Sequence, residues 1–258
     1  MIVQQMSYLF EYSVTDSRNQ LTELTEWFKQ LEEQEAYLKA CAEARHLPVE
    51  VFKSAGCFFV DEEFNKELLK DEWLHETLGF VKFNELVYAG RLVYPIYDVS
   101  NRVMGFTGWD KFARPKYLDS VNHGYKAKKS TFYGMEMLKE YYTNNKTVFV
   151  VEGIVCCLVL RMLGYQALAS LGSYLTKYQI QILKRFGERL VVIPDSDEAG
   201  NKYVNQVKKE LKEARVLQPR EMNYDIDELY HKNADGLIKD LETISNPFLF
   251  NSEMLIVR

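Results

Sequence analysis

Asp195 and Asp197 stand one residue apart in the stretch Asp195-Ser196-Asp197-Glu198-Ala199-Gly200, with only Pro194 between them and the apolar run Leu190-Val191-Val192-Ile193. A short β-branched run that ends in two acids reads as a buried parallel strand delivering carboxylates to its carboxyl end, where open α/β sheets place their sites. Hard oxygen ligands of this kind suit Mg²⁺ or Mn²⁺, which keep waters and a substrate phosphate in their shells. The same grammar recurs upstream, where Thr147-Val148-Phe149-Val150-Val151 runs into Glu152-Gly153. Asp and Gly are also ordinary residues at strand ends and helix N-caps, so either motif alone is open to both readings.

Between the two motifs the pattern predicts a helix over 154–163, a strand over 167–169, a turn at Gly172 and a helix over 178–186. Repeated β-α units of this length form a parallel sheet. The constellation resembles the TOPRIM domain, shared by bacterial-type (DnaG-like) primases, type IA and II topoisomerases, OLD-type nucleases, ribosomal-RNA maturases and RecR-type recombination proteins. That family's strand ending in Glu-Gly, small-residue turn and strand ending in Asp-x-Asp are matched by Glu152-Gly153, Ala169-Ser170-Leu171-Gly172 and Asp195-Ser196-Asp197. The resemblance implies an α/β fold, a Rossmann-like parallel sheet flanked by helices.

Upstream, Gly90-Arg91-Leu92-Val93-Tyr94-Pro95-Ile96-Tyr97-Asp98 and Asn101-Arg102-Val103-Met104-Gly105-Phe106-Thr107-Gly108 resemble the hairpin of the DnaG-type primase core. Arg114-Pro115-Lys116-Tyr117-Leu118-Asp119-Ser120 is similar to its Lys-Tyr-Leu-Asn-Ser signature, and Lys128-Lys129-Ser130-Thr131-Phe132-Tyr133-Gly134 to its step into the linking helix. Residues 36–56 resemble its helical opening. With the motifs in family order over roughly 33 to 243, the chain is identified as a member of that family, a primase catalytic core. The resemblance implies a basic α+β N-terminal lobe for template and nucleotide over 1–145, the TOPRIM domain over 146–243 and a C-terminal tail over 244–258.

Composition sets outer limits. At 258 residues and 47% hydrophobic content the chain can bury one sizeable core or two modest ones. No run approaches the ~18 apolar residues of a membrane span, and Met1 to Phe10 lacks the form of a signal peptide, so the expected location is the cytoplasm with no membrane partner. Cys41, Cys57, Cys156 and Cys157 form no C-x-x-C pair and the four histidines are scattered, so zinc is not expected. Cys156-Cys157 reads as a buried helical pair. The family's zinc-binding domain and helicase-binding domain have no counterpart in this sequence. A stand-alone primase from a virus or mobile element, and a bacterial core that relies on partners, both remain open.

From Arg91 to Lys146 there are ten Lys and Arg against five Asp and Glu, a local +5 in a chain of net −5. A basic zone beside an acidic metal site is what a polymerase of phosphodiesters needs, with cations on the template and triphosphate and carboxylates on the metals. Trp109, Phe112, Tyr117, Tyr125 and Phe132 interleave with those cations and can stack bases. The plainer alternative is a solvated charged face over core aromatics.

Asn223-Tyr224-Asp225-Ile226-Asp227-Glu228 resembles the Asp-Pro-Asp segment that completes the metal site in primases. If it is extended, Asp225 and Asp227 share a face; a surface-loop or N-cap role is the rival. The family usually has Asp three residues after the Glu-Gly glycine, and this chain has Cys156 there, a poor ligand for Mg²⁺.

The expected activity is synthesis of short RNA primers on single-stranded DNA by metal-dependent nucleotidyl transfer. The expected cofactors are two or more Mg²⁺ or Mn²⁺ ions. The expected partners are ribonucleoside triphosphates, the template, and a replicative helicase or separate template-recognition protein. Asp195, Asp197, Asp225 and Asp227 are assigned to metals and Glu152 to metal contact or proton transfer. Lys116 and Lys128 are assigned to nucleotide phosphates and Arg91 and Arg102 to the template, while Gly153 and Gly200 admit close backbone approach. A TOPRIM nuclease and a non-catalytic DNA-binding adaptor are the alternatives.

Overall fold

Runs of alternating and continuous apolar residues separate into two sheets of opposite character. The computed structural model describes residues 17–61, 81–82, 85–119, 131–218 and 224–246. It divides into two compact units, Met1–Ala127 and Lys128–Arg258.

In the first unit, α1 (Ser17–Lys29) places Leu21, Leu24 and Phe28 at helical spacing on one face, buried among Phe58, Val93, Val103 and Phe106. Helices α2 (Gln34–Arg45) and α3 (Val49–Ser54) lead into β1 (Phe58–Val60). A small ribbon, β2 (Val81–Lys82) with β3 (Glu85–Leu86), precedes the long strands β4 (Arg91–Tyr97) and β5 (Val103–Trp109), and β6 (Tyr117–Asp119) follows. All pairings in the main sheet are antiparallel, in the order β1-β4-β5-β6. The Gly90-Arg91 to Gly108 hairpin read from the sequence is β4 and β5. Its turn is closed by Asp98, whose carboxylate accepts the N–H groups of Ser100 and Arg102 at 2.8 and 3.1 Å.

In the second unit a short helix, α4 (Leu138–Thr143), precedes β7 (Val148–Val151), α5 (Ile154–Met162), β8 (Gln166–Ala169), α6 (Lys177–Lys184), β9 (Leu190–Val192), α7 (Glu198–Glu210), β10 (Arg215–Val216) and α8 (Ile226–Ser245). The four strands are parallel in the order β10-β9-β7-β8. β7 and β9 are apolar at every position because both faces are covered, as a parallel sheet with crossover helices requires. The mixed α/β architecture expected from the sequence is the one observed.

Within the second unit Phe132, Met135, Leu138 and Tyr141, which precede the expected domain boundary at 145/146, are buried in the parallel-sheet core. Tyr133 and Ala169 also exchange both backbone hydrogen bonds, at 2.9 and 3.0 Å, which fixes this segment to the sheet. The expected tail at 244 begins inside α8, which runs to Ser245 with Ile244 buried.

Candidate active site

Strand β7 ends at Val151, so Glu152 is the first residue past the sheet, and β9 delivers Asp195 three residues beyond its own end. The two strands are neighbours in register, Val150 beside Val192, so their ends lie side by side. Glu152 is buried, and its Oε1 accepts the Asp195 backbone N–H at 3.3 Å. Burial raises the Glu152 carboxyl above the usual carboxylate range; the Asp195 N–H opposes that and the Asp197 charge adds to it. Burial, then the carboxylates of Glu152, Asp225, Asp197 and Glu228, push Asp195 up to about 7. Five acidic groups therefore share one electrostatic neighbourhood at the carboxyl edge of the sheet.

Three of the five carboxylates, those of Asp197, Asp225 and Glu228, are placed by helix-cap hydrogen bonds. Asp197 is the N-cap of α7, its Oδ1 accepting the Gly200 N–H at 2.7 Å. Gly200 is required there, since a Cβ would lie 1.8 Å from the Asp195 carbonyl oxygen. The close approach expected of Gly200 is thus to the chain's own loop. At Gly153 a Cβ would meet only the Cys156 Sγ, at 3.8 Å.

Asp225 and Asp227 do not share one extended segment, and of the two roles the sequence leaves open Asp225 takes the N-cap. Asp225 is the N-cap of α8 in a reciprocal capping box: it accepts the Glu228 N–H at 2.9 Å, and the Glu228 carboxylate accepts the Asp225 N–H at 3.1 Å. Asp227 sits in the first turn of α8 and pairs with His231 at 3.2 Å. The period-two argument therefore fails for this pair, yet Asp225 still reaches the site. Ser196, between the two β9-loop acids, accomplishes this: its hydroxyl donates to the Tyr224 carbonyl at 3.0 Å and accepts the Tyr224 N–H at 2.8 Å. Ser196, Glu228 and the fully buried Tyr203, whose phenol lies in the field of Glu152 and Asp195, are site residues the sequence reading missed.

Cys156 is buried on α5. Burial, with the neighbouring charges of Asp225, Asp195 and Asp227, holds its thiol well above the ordinary range, although the Asp227 backbone opposes the shift. The position departing from the family pattern thus lies within the electrostatic neighbourhood of the acidic group.

The proposed template cations are arranged differently. Arg91 is 8% exposed and donates to the carbonyls of Lys116 at 3.1 Å and Pro115 at 3.4 Å. Arg102 donates twice to one oxygen of Asp98, at 3.0 and 3.1 Å. Lys116 is exposed on the loop before β6. Lys128 and Tyr125 lie outside the described residues. Of the aromatics suggested for stacking, Trp109 and Phe132 are buried, the Tyr117 hydroxyl accepts from the Arg45 guanidinium, and Arg45 lies 4.0 Å over the Trp109 ring.

Among the described residues, no group of three or more His, Cys, Asp or Glu side chains is arranged to hold a metal ion as it stands. The donor set nevertheless fits a hard cation. It is all carboxylate, and burial together with the neighbouring carboxylates raises Asp195, a cost that a dication would relieve.

Two family descriptions match in succession: "DNA primase catalytic core, N-terminal domain" over residues 29–139 and "Toprim-like" over 149–231. The chain belongs to the DnaG-type primase catalytic-core family. A DNA primase of Clostridium acetobutylicum is 30% identical over 174 residues, 55% of this chain and 29% of that protein. The E. coli primase catalytic core superposes with a TM-score of 0.73 at 22% identity, covering 88% of this chain and 80% of that one. A DnaG primase catalytic domain bound to single-stranded DNA gives 0.69 at 22%, with the same coverage. The chain spans less than a third of the curated primase it matches. Membership implies divalent-metal dependence in general, and Glu152, Asp195 and Asp197 lie within the Toprim-like match over 149–231.

Proposed function

We propose that this primase-family chain synthesises short RNA primers on single-stranded DNA by nucleotidyl transfer. The carrying observation is that Glu152 and Asp195, from adjacent parallel strands, meet at the carboxyl edge of the sheet with Asp197 and Asp225 in the same field. In the reaction a 3′-hydroxyl oxygen bonds to the α-phosphorus of the incoming ribonucleotide, and the bond from that phosphorus to the pyrophosphate oxygen breaks. Mg²⁺ or Mn²⁺ held by Asp195, Asp197, Asp225 and Asp227, with Glu152, would supply neutralisation of charge on the attacking and leaving oxygens.

The chain's own groups do the rest. The α7 and α8 caps fix Asp197 and Asp225 by one oxygen each, and the second oxygen of each carboxylate is left as a ligand. Glu152, partly desolvated, is suited to holding a proton on its carboxyl while the Asp195 N–H orients it. Lys116 supplies positive charge for phosphates from an exposed loop. Ribonucleoside triphosphates are the proposed substrates, and a helicase or template-recognition protein the proposed partner.

The test is incubation with a single-stranded DNA oligonucleotide, labelled ribonucleotides and Mg²⁺ or Mn²⁺. Short labelled oligoribonucleotides that depend on template and metal are the expected product. Metal-dependent shortening of the DNA without synthesis would instead assign the carboxylates to a nuclease, and DNA binding with neither reaction would make the chain an adaptor.

A further inference from the structure

Phe112 is the most exposed large hydrophobic side chain among the described residues, at 85%. An exposed phenyl adds nothing to a core, yet the loop that carries it, 110–116 between β5 and β6, is tightly built. The Asp110 N–H donates to the Lys116 carbonyl at 3.0 Å, and the Asp110 carboxylate accepts the Phe112 N–H at 2.8 Å. From beneath, the buried Arg91 guanidinium donates to the Pro115 and Lys116 carbonyls. Gly108 makes room for that arrangement, since a Cβ there would lie 3.1 Å from the Arg91 Cδ and 2.5 Å from the Tyr88 ring. A buried cation and a glycine are thus both committed to holding a loop whose outward side chains are exposed.

Those side chains have one chemical theme. Lys111, Arg114 and Lys116 are exposed on the same loop as the ring, with the Lys111 ammonium 5.9 Å from the ring centroid. The loop's single acid, Asp110, is turned onto its own backbone. A partner that satisfies a protruding ring and three cations together must offer flat π-faces and negative charge in alternation. Single-stranded DNA does so at every nucleotide, because each base has a face and each linkage a phosphate. An acidic protein surface would satisfy the cations and leave the ring in water.

We infer that loop 110–116 is a base-stacking clamp for single-stranded DNA, with Phe112 the ring on which a base stacks and Lys111, Arg114 and Lys116 the contacts to flanking phosphates. The inference rests on the reading of this chain as one that works on single-stranded DNA. It assigns base contact to one residue and gives Arg91 the task of shaping the loop.

The experiment compares the wild type with Phe112→Ala and Phe112→Trp, each as the full chain, on an oligo-dT strand and on an abasic strand of equal length. Stacking is worth enough per base that Phe112→Ala should weaken oligo-dT binding about five-fold or more, with the salt slope unchanged. On the abasic strand the wild type and Phe112→Ala should bind alike. Phe112→Trp should keep the oligo-dT affinity and show emission quenched on binding beyond that of the wild type. Equal oligo-dT affinities for wild type and Phe112→Ala, or an equal loss on both strands, would overturn the clamp while leaving the proposed function standing. A wild type that binds no single-stranded DNA would overturn both.

Discussion

The parallel sheet of residues 128–258 and the antiparallel sheet of residues 1–127 each have four strands, but they hold their charged groups by opposite means. At the carboxyl edge of β7 and β9, Glu152 is buried and Asp195 partly so, and Asp197 and Asp225 are each tied to a helix N-terminus. Around β5 and β6, Lys111, Arg114 and Lys116 project into solvent, while the two buried or half-buried arginines, Arg91 and Arg102, are engaged by backbone and by Asp98. The difference fits the partner proposed for each region. A small dication demands ligands fixed at short distances, so its carboxylates are anchored before it arrives. A polyanion is felt over a Debye length of about 8 Å, so exposed cations on long side chains suffice.

The comparison is broken most directly at Asp195. Asp195→Ala should lower primer synthesis by two orders of magnitude or more, because a metal carboxylate acts most strongly in the transition state. Binding of single-stranded DNA, measured by anisotropy, should stay within about two-fold. Unchanged synthesis would remove the carboxyl edge from the chemistry.

Cys156→Asp places a further carboxylate among Asp195, Asp225 and Asp227 at a buried position. Without metal the variant should melt on the order of 10 °C lower, since an unpaired buried charge costs several kcal/mol. Millimolar Mg²⁺ should recover more of that loss than it adds to the wild type, because the new oxygen ligand binds a hard cation. An unchanged melt in EDTA would show that Cys156 does not face the acidic group.

Gly200→Ala tests how firmly the loop is held. A Cβ 1.8 Å from the Asp195 carbonyl oxygen forces the backbone apart, at a cost on the order of 3 kcal/mol and about 5–10 °C in Tm. Because the displaced residue is Asp195, synthesis at a permissive temperature should fall too. A Tm within 1 °C of the wild type would refute the close approach.

Much of this arrangement could be read before the structure, and the parts that could not have identifiable reasons. Glu152 and Asp195 were legible because each follows a continuous apolar strand, and in a parallel sheet strand ends and sites coincide. Asp225 and Asp227 invited a period-two reading, but Asp225-x-x-Glu228 before a helical pattern is the capping-box signature, and local capping decided the conformation. Ser196 carried no signal, because a lone serine between two acids does not announce a hydrogen bond 28 residues away. Arg102 looked like an available cation, although Asp98 four residues earlier closes the same turn. Trp109 and Phe112, three residues apart in one basic stretch, were alike in sequence; strand against loop tip made one core and the other surface.

Asp195 also gives the acidic edge a pH signature. An unfolded aspartate titrates near 4, whereas Asp195 in the folded protein titrates at about 7. Below pH ~4 the group is protonated in both states and neutral to stability. As pH rises through the window from ~4 to ~7 the unfolded chain ionises first, so stability is lost, and above ~7 the full cost stands. Asp195→Asn in EDTA should therefore match the wild type at pH ~3.5 and melt a few degrees higher at pH 8. A Tm difference that does not change with pH would mean that the Asp195 carboxyl is neither desolvated nor crowded by its neighbours in the folded protein.

The smallest effect separates two cations that looked equivalent in sequence. Lys116 is exposed on the loop before β6, and Arg102 is held by Asp98. Each phosphate contact releases about one counterion, so Lys116→Ala should reduce the slope of log Kd against log salt by about one unit and weaken binding two- to three-fold near physiological salt. Arg102→Ala should leave the slope unchanged and lower Tm by only about 1–3 °C, the scale of a half-exposed ion pair with two hydrogen bonds. If the slope changes equally in both variants, Arg102 leaves Asp98 to meet the nucleic acid, and the antiparallel sheet offers a mobile cation where the structure shows a fixed one.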